Sequence, residues 1–139
     1  MEHFNESDNT RLIFFLNEWG KNPSGKNFEK VMDELINGNS HLLLPSIANA
    51  LDNKSVTVAD SKTKLSLTCI YEVDGVKILG AFSDEKSLVN WSKASSSYIA
   101  MSTKAILKMC EMNDIYKIVI NSDSPDIFLV QRKGAKLSL

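Results

Sequence analysis

Hydrophobic residues recur along this chain with two periods, and the switches between them mark its elements. From Thr10 to Trp19, Leu12, Phe15, Leu16 and Trp19 follow the i, i+3, i+4, i+7 spacing of a helix with one apolar face, with Asn9 or Thr10 placed to cap its start. Gly20 is expected to end that helix, and GKNPSGKN supplies the punctuation of a loop. A second helix carries Phe28, Val31, Met32, Leu35 and Ile36 as one stripe. Glu29, Lys30, Asp33 and Glu34 fall on its other side, and Gly38 serves as its C-cap. Aromatic residues at helical spacing read as core rather than as a binding surface.

The next run, HLLLPSI from His41 to Ile47, reads as a strand that Pro45 confines to the edge or end of a sheet. Residues 49–64, rich in Asp, Asn, Lys and Ser, read as a surface loop with a little strand around Val56 to Val58. Period two then places Leu65, Leu67, Cys69 and Tyr71 on one face of a strand and Ser66, Thr68, Ile70 and Glu72 on the other. Asp74-Gly75 is a hairpin signal because both residues tolerate positive φ, so Leu65–Glu72 and Val76–Phe82 are expected as antiparallel neighbours.

The stretch Ile78–Pro125 reads as the centre of the fold. Ser83 or Asp84 caps a helix whose Leu88 and Trp91 face inward, and acids at Asp84 and Glu85 suit the positive end of its dipole. Tyr98–Met101 is a short strand. Ser102 caps a further helix with a wide apolar face: Ala105, Ile106, Leu107, Met109, Cys110 and Met112. Ile115–Ile120 is β-branched and reads as a central strand buried on both faces. Side chains of Asn121-Ser122-Asp123-Ser124 bonding back to the backbone before Pro125 predict a sharp turn, with Ile127–Val130 as a last strand. The predicted fold class is α+β: one domain over residues 1–139, with a mixed sheet of about five to six strands and roughly four helices. Two helices and a strand come first, then a β-hairpin, helix, strand, helix, strand and strand. Residues 1–8 and 134–139 are expected as frayed ends.

Composition narrows the function classes. With 43% hydrophobic and 24% charged residues the chain has the balance of a soluble globular domain, and no apolar run approaches the ~20 residues of a membrane span. A net charge of −1 with scattered Lys and Arg provides no basic surface for displacing counterions from a phosphate backbone, which disfavours nucleic acid as a partner. Arg132, Lys133 and Lys136 read as an exposed tail. The opening MEHFNESDNT lacks the basic-then-apolar pattern of a secretory signal, so the expected address is the cytoplasm. Cys69 and Cys110 lie far apart, without CxxC spacing or a His in ligand register, which argues against a zinc site or a disulfide framework.

No nucleophile, base or ligand set emerges. His3 sits near the N-terminus and His41 opens a strand; the glycines are scattered through turns and caps rather than gathered in a phosphate loop. No catalytic residue, metal or cofactor is expected. The candidate binding surface is the strand exit at Asn121, Ser122, Asp123 and Ser124, near the helix start at Ser102 and Thr103; the plain alternative is that the first four are only a turn and Ser102 only a cap. The function expected is a non-catalytic interaction module, an adaptor or inhibitor whose partner is another protein. The alternative is an enzyme of sulfur or serine metabolism working through a cysteine thiol, which would require a helix N-terminus or a cationic neighbourhood around that thiol.

Several of these residues carry a resemblance. Leu43, Leu44 and Pro45; Phe82, Ser83 and Trp91; Tyr98 and Met101; and Asn121 with Pro125 match the pattern of the N-terminal domain of the enhanced-serine-sensitivity (SseB) family, from about Phe28 onward. Pro125 stands four residues after Asn121 rather than beside it, a departure from that pattern. The resemblance implies the fold more than the function. It implies a bacterial cytoplasmic protein, tied by its family name to serine sensitivity, with no established catalytic residues.

Overall fold

The computed structural model describes residues 9–45, 56–60, 63–67, 70–92 and 98–131, the strands 56–60 and 63–67 by their backbone only. Its elements in chain order are α1 (Thr10–Lys21), α2 (Gly25–Asn37), β1 (His41–Pro45), β2 (Val56–Asp60), β3 (Thr63–Leu67), β4 (Ile70–Val73), β5 (Val76–Ala81), α3 (Glu85–Ser92), β6 (Tyr98–Ser102), α4 (Thr103–Met112), β7 (Ile115–Ile120) and β8 (Phe128–Gln131). The α+β class and the element order are those the periodicity predicts. The strands differ in number and grouping: the described residues hold three sheets, ordered β1-β6, β2-β3 and β4-β5-β7-β8, rather than one sheet of five to six strands. A bridge between Leu43 and Phe82 joins the β1–β6 pair to the end of β5.

The four-stranded sheet supplies the floor of the core. β4 and β5 form the predicted hairpin, with Asp74 and Gly75 at φ of 52° and 80° as a tight turn of matching twist requires. β5 and β7 are parallel, so the chain between them must cross over, and it does so through α3, β6 and α4. Ile70, Leu79, Ala81, Ile118, Ile120, Phe128 and Val130 share one face and are buried. A register shift sets Lys77 opposite Ile115 but Ile78 opposite Lys117. The extra residue, Tyr116, returns Ile115 to the core face with Ile118 and Ile120, which simple alternation would not allow.

Two strand expectations are corrected by this pairing. The run Leu65–Glu72 is not one strand: β3 pairs with β2, and β4 pairs with β5. The face assignment is consequently reversed, since Ile70 is buried against Leu79 while Tyr71 is 48% exposed, leaving its hydroxyl in water. Cys69 lies outside the described residues. β7 is central but is buried on one face only: Lys117 and Val119 are half-buried on the other, beside exposed Leu129. Within the expected loop 49–64, residues 56–60 and 63–64 are strand, and the rest of that stretch and the expected frayed ends lie outside the described residues.

The helices cover the core face. Leu12 and Leu16 of α1, Val31 and Leu35 of α2, and Ile106, Met109 and Cys110 of α4 join the sheet residues in one cluster, and Trp19, Phe28 and Phe128 stack edgewise or tilted at 5.2–6.0 Å. A smaller cluster of Leu43, Phe82, Leu88 and Ala100 lies on the other side of β1–β6, with Trp91 against Phe82.

Of the two glycines read as stop signals, Gly38 does cap the end of α2 while Gly20 does not end α1, and both have packing reasons. α1 continues through Gly20 to Lys21, and a methyl group at Gly20 would lie 3.1 Å from the Pro125 carbonyl oxygen and Asp126 Cα. Gly38 does follow α2, but in an extended rather than left-handed conformation, and a Cβ there would press into the Glu34 carboxylate. Glu34 is not on a solvent face: it is 7% exposed and accepts from Arg11 Nε at 3.0 Å, while the Arg11 guanidinium lies over the Phe15 ring. The pair forms because a buried carboxylate must find a charged donor.

Candidate functional site

Three buried polar residues organise the end of the sheet where β5 and β7 exit. Asn9, expected as a helix cap, makes no cap bond. Its amide donates to the carbonyl oxygens of His41 (2.6 Å) and Ser83 (2.8 Å), and its oxygen accepts from His41 N–H (2.8 Å). From the other side Asn121 accepts from Ser83 N–H (2.9 Å) and donates to Ser83 Oγ (2.9 Å). Asn9 and Asn121 are fully buried and Ser83 nearly so. Ser83 therefore does not cap α3; Asp84 does, accepting from Ser87 N–H at 2.7 Å.

Asn121 sits at φ 58° and Asp123 at φ 65°, so the turn leaving β7 is sharply bent, as their residue types permit. It is held on every side. Trp19 Nε1 donates to Ile127 O (2.9 Å), Asn90 donates to Asp123 O (3.2 Å), and α1 approaches closely at Gly20. The predicted site residues thus divide. Asn121 is wholly committed to the fold. Ser102 accepts from Ala105 N–H as the cap of α4, and Thr103, buried, bonds Ser40 Oγ at 2.8 Å. Ser122 is half-buried, Asp123 is exposed, and Ser124 reaches the surface beside a cleft.

That cleft, of about 840 Å³, opens between α1, α3 and the turn. Asn17 and Lys21 form one wall, Lys86, Ser87 and Asn90 the other, and Ser124, Pro125 and Asp126 the end. Ser102 and Thr103 do not line it. Burial raises the Asp126 carboxyl above the usual carboxylate range; its own backbone and the Asn121 amide, 3.4 Å away, oppose that shift, and the nearby charge of Asp84 adds to it. Outside the cleft, Tyr98 O–H donates to Glu85 Oε1 at 2.7 Å, and this bond, with some burial and the Glu85 charge, raises the phenol pKa. Sequence reasoning missed Asn17, Asn90 and Asp126. The one available signal was Gly20, a helix-breaking residue inside a helical pattern, which marks a close approach.

The cleft combines amides, hydroxyls and both signs of charge with a larger apolar share, to which Ile13, Val89 and Pro125 contribute. Among the described residues no group of three or more His, Cys, Asp or Glu is placed to hold a metal, and no helix is long and apolar enough to cross a membrane. Cys110 is 3% exposed within the core cluster.

The family model of the SseB protein N-terminal domain matches residues 15–134, most of the chain. The chain belongs to the SseB N-terminal domain family. The match extends across α2, α3, the four-stranded sheet, the exit turn and α1 from Phe15 onward, so the Ser83–Asn121 knot lies inside the family region and Asn9 outside it. Curated proteins yield no match to this SseB-family chain, and neither do solved structures.

Proposed function

We propose that this SseB-family domain is a non-catalytic protein-interaction module, an adaptor or inhibitor in the cytoplasm, whose contact surface is the cleft between α1, α3 and the exit turn. The observation that carries the reading is the set of hydrogen bonds that holds the end of that cleft. Its end is a turn fixed by Asn121, Trp19 and Asn90, and its walls present Asn17, Ser87 and Asn90 outward. A preformed surface of this kind loses little conformational entropy on binding. The thiol-enzyme alternative has less support, because Cys110 lies in an apolar core where a thiolate is disfavoured.

Asn17→Arg combined with Val89→Arg tests the reading. Both positions line the cleft and are exposed, so the fold should be retained while the cleft is obstructed. Affinity capture from native lysate should recover a stoichiometric partner with the parent chain and lose it with the double variant. Equal recovery by both would exclude the cleft. Loss of cellular activity in a folded Cys69→Ser, Cys110→Ser chain would favour the thiol reading instead.

A further inference from the structure

A second depression lies on the opposite side of the helical layer. It is a groove of about 450 Å³ between α2 and α4, walled by Phe28, Met32, Ile36 and Leu107 and floored by Ile118 and Val130. Phe28 and Ile36 are 40% and 47% exposed, so the apolar stripe of α2 is only partly used by the core. The two helices run antiparallel along it. Ile36 and Leu35 share a small cavity with Thr103 at the start of α4, whereas Phe28 enters the lining only where Cys110 and Glu111 do.

Each wall carries a row of exposed charges. On α2 the row is Lys26, Glu29 and Asp33, spaced i, i+3, i+7 and so on one side of the helix. On α4 it is Lys104, Lys108 and Glu111, spaced i, i+4, i+7. Read from the Phe28 end of the groove, α2 presents plus, minus, minus and α4 presents minus, plus, plus. Among the described residues no ion pair joins the two rows within one copy.

We infer that this groove is the interface of a reversible homodimer with its two-fold axis along the groove. That rotation lays α2 of one copy over α4 of the other and keeps the same end together. Glu111 then meets the partner's Lys26, Lys108 the partner's Glu29, and Lys104 the partner's Asp33. The same operation closes the two apolar stripes on each other. A two-fold axis across the groove would instead set α2 on α2 and α4 on α4 with their ends reversed, which brings Glu29 onto its own counterpart and Lys108 onto its own counterpart as like charges. Helices of 13 and 10 residues make a patch about 20 Å on a side, which falls at the small, weak end of specific interfaces. The dimer is accordingly expected to dissociate in the micromolar range and to weaken with salt.

Sedimentation velocity on the full chain, up to about 500 µM, tests this with two reversed variants, Glu29→Lys/Asp33→Lys and Lys104→Glu/Lys108→Glu. Each alone places like charges face to face and should raise the dissociation constant about tenfold or more. Mixed in equal amounts they should form a heterodimer at least as tight as the parent dimer. Ile36→Arg, which keeps the charge rows but puts an unpaired guanidinium in the seam, should abolish association with the fold intact by circular dichroism. A parent chain that remains monomeric throughout the range would overturn the inference. So would a dimer indifferent to both reversals, or reversed variants that fail to recover on mixing.

Discussion

The two depressions of this domain are built on opposite principles. At the exit end of the sheet, polarity is turned inward: Asn9, Ser83 and Asn121 are buried and bonded, and the cleft above them inherits a fixed shape. Between α2 and α4, apolarity is turned outward: Phe28 and Ile36 are left at 40% and 47% exposure over a greasy floor. Buried amides are costly to leave unbonded but directional once bonded, so they fix geometry. Exposed apolar stripes fix little by themselves and gain only when something covers them. The first region should therefore be sensitive to substitution in stability, the second in association.

The largest test of that contrast pairs Asn121→Ala with Ile36→Ala. The first strands Ser83 N–H and Oγ in a dry site and places a Cβ-bearing residue without Asn's local bonding at φ 58°. A loss of about 3–4 kcal/mol is expected in urea or thermal unfolding. The second removes a half-exposed side chain and should change stability by under about 1 kcal/mol. Comparable losses at both positions would dissolve the distinction between the two ends.

Much of the fold was readable because it rests on local period. The stripe of α2, the Asp74-Gly75 hairpin, the Ser102 cap and the β-branched run of β7 are each decided within a few residues. The candidate site was readable only in outline, because its bonds are not local. Asn9 reaches His41 across 32 positions and Ser83 across 74, and Ser83 reaches Asn121 across 38. An asparagine before a helical pattern has the same appearance whether it caps the helix or ties three elements together. The acid Glu34 was misplaced for a related reason: helical spacing gives the angle of a side chain, and only the neighbouring α1 with Arg11 and the glycine beneath it make an inward carboxylate tolerable. Tyr116 shows a third limit, since a bulge changes which residues share a face without changing the letters.

A smaller test sharpens the contrast through sign. In an exposed helix Gly→Ala stabilises by about 1 kcal/mol, so α1 alone would favour Gly20→Ala. Here the new methyl group would meet the Pro125 carbonyl and Asp126 Cα at 3.1 Å, and both belong to a turn that Trp19, Asn90 and Asn121 hold in place. Net destabilisation of about 1–2 kcal/mol is expected. Stabilisation would mean that the turn yields, and with it the claim that the cleft is preformed.

The smallest effect concerns charge at the cleft floor. Asp126 is held above the usual carboxylate range by burial, so between that range and its raised value the folded chain binds more protons than the unfolded one. Its contribution to stability is then greatest at low pH and declines as pH rises through the folded pKa, the opposite of the common salt-bridged carboxylate. Asp126→Asn keeps the shape and removes the titration. The stability of the variant minus that of the parent should increase as pH rises from the ordinary carboxylate range through the raised folded pKa and then level off. Urea unfolding at a series of pH values reads this directly. A difference that stays flat would mean that the carboxylate is fully hydrated and that the cleft floor is as open to water as the groove on the other side. A difference that falls with pH would mean that Asn121 stabilises the charged form more than burial opposes it, which would make the carboxylate a working member of the polar knot rather than its rim.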